Sequence, residues 1–284
     1  MRYILCILSI YCALSSIAQE KKVLFVGNSL TYYNDMPQTL QKMIDEKGIK
    51  IKIEQETPPG YNLVSHAKFR ENGGNAVRID KDEAAPTVQR ILSRNWDIVI
   101  LQEAPIEILI PDKRYYCAEP ALKYLDSIIK SKHATTIIYQ NYALPKYPVK
   151  YCSQNGPHNI IFRQMAFDPQ QQMVIQGDSA CSDSFQNSEQ EFTLLRDQYN
   201  KLAGMIHADL AEVGHYFELC KKHHPEIQLY DSADDSHPSR EGSYLIACVF
   251  FHSLTKEQAH TVTYNAGIDK DTAKKLQELV DSSR

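Results

Sequence analysis

The stretch Val23-Leu24-Phe25-Val26-Gly27-Asn28-Ser29-Leu30-Thr31 decides the architecture. Its first four residues are apolar at consecutive positions rather than alternate ones. Strands covered on both faces read this way, and they belong to parallel sheets held between helix layers. Asp97-Ile98-Val99-Ile100-Leu101 and Thr135-Thr136-Ile137-Ile138-Tyr139 repeat the pattern, while residues 51–55 and 208–213 are weaker strand candidates. Amphipathic stretches fall between these runs. Pro37 opens a helix with Leu40, Met43 and Ile44 on one face and Gly48 at its end. Pro120 opens a second with Leu122, Leu125, Ile128 and Ile129, and residues 189–206 place Phe192, Leu195, Tyr199, Leu202 and Ile206 at helical spacing. Strand alternating with helix predicts an α/β protein: a three-layer α/β/α sandwich around a parallel sheet of about five strands. Residues 142–188 lack periodicity and hold Pro145, Pro148, Gly156, Pro157, Pro169 and Gly177, so they are expected to form a long excursion from the sheet.

The composition, 43% apolar and 23% charged over 284 residues, excludes disordered, collagen-like and small disulfide-stapled classes. Lysine and arginine number 31 against 35 acidic residues, mixed along the chain, for a net charge of -4. No basic field exists to gather nucleic acid or anionic lipid, so nucleic acid is excluded as an expected partner. At the N-terminus Arg2 precedes an apolar run from Tyr3 to Ala18, and Ser16-Ile17-Ala18 has the small-x-small form of a cleavage site. Residues 1–18 therefore read as a signal peptide and 19–284 as a single domain, exported to the periplasm or the exterior. A run of about 16 residues is too short for a stable membrane anchor. Tyr11 before Cys12 argues against lipid attachment at that cysteine. The signal contains Cys6 and Cys12; beyond it Cys117, Cys152, Cys181, Cys220 and Cys248 are odd in number and lack CxxC spacing, which argues against a zinc ribbon. Cys152 and Cys181 bracket a polar segment and can pair in an oxidising compartment, while Cys248, in the apolar run Leu245–Phe251, reads as a buried small hydrophobe.

Chemistry is expected where the first strand ends. Ligands of an open parallel sheet bind beyond the carboxyl ends of its strands, and Gly27 allows a tight turn that presents the Ser29 hydroxyl there. A serine nucleophile needs a base, and the base a carboxylate. Both stand in Asp234-Asp235-Ser236-His237-Pro238-Ser239, just before a helix that starts near Glu241. Taken singly, Gly-x-Ser reads equally as a helix cap and Asp-x-x-His as a solvated turn. Asp235, two residues from His237, is expected to accept backbone N–H bonds in that turn. The histidines at 207, 215, 223 and 224 lack metal-ligand spacing, and the acidic loop from Asp231 to Gly242 departs from a calcium template, so no metal or other cofactor is called for.

The conjunction of a Gly27-Asn28-Ser29 turn after the first strand with a C-terminal Asp234-x-x-His237 resembles the SGNH/GDSL hydrolase superfamily. That resemblance implies a flavodoxin-like sandwich carrying a serine ester hydrolase site, with Ser29 as nucleophile, His237 as general base and Asp234 as orienting carboxylate. It also implies an oxyanion hole from the N–H of Ser29, the N–H of a glycine after the second strand, here Gly60 with Gly73 and Gly74 as alternatives, and an Asn in a GxND loop after the third. The third motif is lacking: Gln102-Glu103-Ala104-Pro105 stands in its place. Gln102 is read either as an amide donor to the oxyanion or as a loop-capping side chain. Asn28, Tyr61 and Glu103 are expected to contact substrate. The superfamily's many carbohydrate esterases suggest short acyl groups, such as acetyl esters on glycans. The alternatives are a lipase or thioesterase of the same fold, lidded by residues 142–188, and a non-catalytic glycan-binding protein.

Overall fold

The structure, a computed structural model, describes residues 19–72, 75–78, 85–152, 161–163, 172–174 and 181–282. The expected signal peptide and the alternatives Gly73 and Gly74 lie outside them. In chain order the elements begin with β1 (Lys21–Val26), α1 (Ser29–Tyr32), α2 (Met36–Glu46), β2 (Ile51–Glu56) and α3 (Leu63–His66). The hairpin strands β3 (Phe69–Asn72) and β4 (Asn75–Arg78) come next, then α4 (Pro86–Leu92), β5 (Ile98–Gln102), α5 (Pro105–Leu109), α6 (Pro111–Lys113), α7 (Glu119–Ser131) and β6 (Thr135–Tyr139). The excursion contributes β7 (Val149–Cys152), β8 (Ile161–Arg163), β9 (Gln172–Val174) and β10 (Cys181–Phe185). The chain closes with α8 (Ser188–Ile206), β11 (Asp209–Ala211), α9 (Val213–His223), α10 (Arg240–Thr255) and α11 (Lys270–Ser282).

Five strands form one parallel sheet in the order β11-β6-β5-β1-β2. Numbered within the sheet this is the doubly wound order 2-1-3-4-5, whose direction of winding reverses beside β1. The reason for the consecutive apolar runs is visible in the two cores. Val23 and Phe25 of β1 pack with Ile100, Tyr139 and helices α2, α9, α10 and α11. Leu24 and Val26 point the other way, to Val99, Leu101 and helices α4, α7 and α8. Period-2 side chains thus meet an apolar layer on both sides. Helix α10 is buried nearly all round, consistent with its place between α2 and α11. None of the described helices is long and apolar enough to cross a membrane.

The excursion returns to the body through the antiparallel pair β7 and β10, joined by a Cys152–Cys181 disulfide. Cys117, Cys220 and Cys248 are buried.

Candidate functional site

The register of the sheet sets the site. Val26 of β1 lies opposite Leu101 of β5, so the next residues, Gly27 and Gln102, emerge side by side at the carboxyl edge. A Cβ on Gly27 would stand 2.5 Å from Gln102 Oε1 and 2.7 Å from Thr31 Oγ1, closer than any side chain tolerates, which explains the glycine. Asn28 then caps α1: its Oδ1 accepts the Leu30 N–H at 3.0 Å and its Nδ2 donates to the Tyr61 carbonyl at 2.8 Å. Ser29 is therefore the first helical residue, half-buried, with an N–H that the helix itself cannot satisfy.

The second half of the site is the loop before α10. Ser239 caps that helix by accepting the Gly242 N–H at 3.0 Å, and the loop is pinned by a β-bridge between Tyr230 and Pro238. Within it Asp234 Oδ1 accepts the N–H groups of Ser236 and His237 at 2.8 and 2.9 Å, an Asx turn that folds the carboxylate back over the histidine. Its Oδ2 meets His237 Nδ1 at 2.5 Å, and His237 Nε2 meets Ser29 Oγ at 2.7 Å. The carboxylate can only accept, so Nδ1 carries the hydrogen and Nε2 turns its lone pair to the serine hydroxyl. Partial burial pushes the Asp234 pKa up, but the hydrogen bonds from His237 and Ser236 outweigh it and hold the carboxyl well below its usual range. Expected from spacing, Ser29, His237 and Asp234 are brought into one hydrogen-bonded chain across 208 residues of sequence.

Asp235 does not take the part expected of it. It adopts a left-handed φ of 53° and sends its carboxylate to Lys146 of the excursion; the turn's N–H groups go to Asp234. Several further residues hold the histidine. The Tyr33 ring stacks on His237 at 4.4 Å and 20°, with its phenol hydrogen-bonded to Asp231, which raises the phenol pKa. Asn34 Nδ2 donates to the Pro238 carbonyl at 2.9 Å and to Ser243 Oγ at 3.0 Å, and the Tyr142 hydroxyl donates to the Ser236 carbonyl at 3.2 Å. No sequence signal marks these contacts, because each joins segments about 100 to 200 residues apart and uses ordinary polar side chains.

No protein-family model matches this chain, and no curated protein matches its sequence. Solved structures match its three-dimensional form. A DUF4886 family protein from Bacteroides uniformis superposes with a TM-score of 0.64 at 18% identity over 93% of this chain and 94% of its own. A protein from Slackia heliotrinireducens, described as a candidate SGNH hydrolase, gives 0.55 at 18% identity over 83% of this chain and all of its own. The acetyl xylan esterase AlAXEase gives 0.50 at 14% identity over 82% and 99%. This is the SGNH hydrolase fold.

Of the two expected roles of Gln102, donor to an oxyanion or loop-capping side chain, the first is corrected by its contacts. Gln102 is fully buried, and its Oε1 accepts the Asn28 N–H at 2.8 Å and the Thr31 hydroxyl at 3.1 Å. Its Nε2 is sealed from solvent without a hydrogen-bond partner among the described residues. The side chain is a brace under the serine turn, nearer to the loop-capping alternative. Glu103 is not at the substrate face either. It is 3% exposed; Oε2 accepts the Leu63 N–H at 2.8 Å and so caps α3, Oε1 accepts the Ala104 N–H at 2.7 Å, and burial, reinforced by Glu107, raises its pKa. Asn28 likewise has both side-chain ends committed inside the protein. Of the three expected substrate contacts only Tyr61 remains open, at 38% exposure. Gly60 lies in an exposed turn at φ +70°, beside Tyr61, whose carbonyl is tied to Asn28. Among the described residues no group of three or more His, Cys, Asp or Glu is gathered as a metal site.

Proposed function

We propose that this chain is a serine ester hydrolase working through Ser29, His237 and Asp234. The observation that carries the reading is the unbroken relay Ser29 Oγ to His237 Nε2 and His237 Nδ1 to Asp234 Oδ2, at 2.7 and 2.5 Å. In the reaction Ser29 Oγ attacks the ester carbonyl carbon while its proton passes to Nε2, and Asp234 stabilises the resulting imidazolium. In this reading the N–H groups of Ser29 and Gly60 serve as donors to the tetrahedral oxyanion. Collapse breaks the bond to the leaving alcohol, which takes the proton from Nε2 and departs, leaving acyl-Ser29. Water, deprotonated by His237, then releases the acid and restores the serine.

Short acyl esters on glycans are the proposed substrates. The support is the open Tyr61 ring beside the serine turn, which can stack on a sugar face, and the shared fold with an acetyl xylan esterase. We place the protein outside the cytoplasm, a reading supported by the apolar N-terminal segment and by the Cys152–Cys181 disulfide. Hydrolysis of p-nitrophenyl acetate and of acetylated xylan tests the proposal. Ser29→Ala is expected to abolish turnover with a nearly unchanged melting temperature, and a fluorophosphonate to label the wild type at Ser29. Substantial turnover by the alanine variant would overturn the assignment.

A further inference from the structure

We propose that His66 and Gln102 clamp the two ends of one peptide group, Gly27–Asn28, and that this clamp positions Ser29 for attack; the inference rests on the serine-hydrolase reading above. The Gly27 carbonyl meets His66 Nε2 at 2.8 Å, and the Asn28 N–H meets Gln102 Oε1 at 2.8 Å. These two groups belong to the same rigid plane. It is therefore gripped from opposite ends by side chains of α3 and β5 that lie 36 residues apart in the sequence. A carbonyl can only accept, so Nε2 carries the imidazole hydrogen and Nδ1 accepts from the Thr87 hydroxyl at 2.8 Å. Both side chains are 0% exposed. Neither can touch a substrate, which makes them positioning residues.

The turn needs such a device. Gly27 has no Cβ to restrict its torsions. Helix α1 is four residues long, too short to hold its own geometry. The next peptide in the chain carries the Ser29 N–H that faces the oxyanion, and its direction follows from the torsions of Asn28. Fixing the Gly27–Asn28 plane thus sets both the serine hydroxyl against His237 and the N–H against the developing charge. The second Gln102 contact, to the Thr31 hydroxyl at 3.1 Å, ties the same brace to the first turn of α1.

Two pairs of variants test the clamp from its two ends. Gln102→Met keeps the volume and removes the acceptor, whereas Gln102→Glu keeps an oxygen at the same reach. His66→Leu removes the donor, whereas His66→Gln retains one. Loss of the clamp is expected to lower kcat for p-nitrophenyl acetate, and the rate of Ser29 labelling by a fluorophosphonate, by about 10- to 100-fold with KM little changed. The Glu and Gln variants are expected to recover most of both. A purely structural role would instead lower the melting temperature and leave kcat per folded molecule intact. Wild-type kcat and labelling in cooperatively melting Gln102→Met and His66→Leu proteins would overturn the clamp. If Gln102→Met does not fold, the His66 pair decides alone. Failure of the wild type to label at Ser29 would defeat the hydrolase reading itself, a separate result.

Discussion

Asp234 divides its two oxygens between separate partners: Oδ1 holds the backbone of Ser236 and His237, and Oδ2 holds the imidazole. An amide keeps the first set of bonds and loses the second. Asp234→Asn is thus expected to fold normally and to lose roughly 10² to 10⁴ in kcat, as when an amide replaces a triad carboxylate. Asp234→Ala is expected to lose as much activity and also about 1 kcal/mol of stability, because the turn's N–H groups lose their acceptor. Asp235→Asn, which breaks only the pair with the largely exposed Lys146, is expected to change stability by less than about 0.5 kcal/mol and leave kcat near wild type. Paired melts and kinetics check all three, and abolished turnover in Asp235→Asn would contradict the triad. His66 makes a different kind of statement. Burial lowers its pKa from 6.5 to about 4, so between those values the unfolded chain binds a proton that the folded chain does not. Its contribution is complete above about pH 6.5 and is lost as the pH falls toward 4, amounting to about 3 kcal/mol. Urea melts at pH 7 and pH 4.5 are expected to show that acid loss in the wild type, and a clearly smaller one in His66→Gln.

At the level of elements, the excursion is fastened where it leaves and rejoins the body. The disulfide closes a 29-residue separation between β7 and β10. The hydroxyls of Tyr147 and Tyr151 both bond the buried Glu191 of α8, at 2.6 and 3.1 Å, and burial raises the carboxyl's pKa. Before β7, Tyr142 and Lys146 touch the loop that carries His237, so the base of the excursion also supports the site. Closing a loop of this size restricts the unfolded chain by about 3.6 kcal/mol in the chain-entropy account. The Cys152→Ala/Cys181→Ala double variant is expected to be destabilised by up to that amount, and reductant to lower the wild-type melting temperature and leave the double variant's unchanged. Equal melting of the two proteins without reductant would show that the bond contributes nothing.

Across the whole molecule, one sheet separates two apolar layers, and neighbouring residues of a strand serve different layers. Val99 packs on one side and Ile100 on the other, both fully buried. Val99→Asp and Ile100→Asp are therefore both expected to prevent folding, since either buries a charge with no partner. In a sheet solvated on one face, one of the two would be tolerated. Soluble yield and far-UV circular dichroism distinguish the cases. The same two-sided burial is why the sheet could be read without a structure: a run such as Leu24-Phe25-Val26 needs no knowledge of its neighbours to be recognised. The expected strands at 51–55 and 208–213 appear as β2 and β11, while α4, α9 and α11 went unread, although α11 shows helical spacing of Ala273, Leu276 and Val280. Asp234 and His237 were also legible, because a spacing of three on one loop is a local property. Gln102, Glu103 and Asn28 were not, because a polar side chain at a strand end can face either substrate or backbone. The β1–β5 register brings Gln102 beside Gly27, and the position of α3 presents Leu63 to Glu103. The layering and the two halves of the site are legible from residues alone, since both follow from apolar periodicity and short-range spacing. Which polar groups stay open and which are consumed as braces depends on the folded chain, because their donors and acceptors come from residues about 30 to 200 positions away.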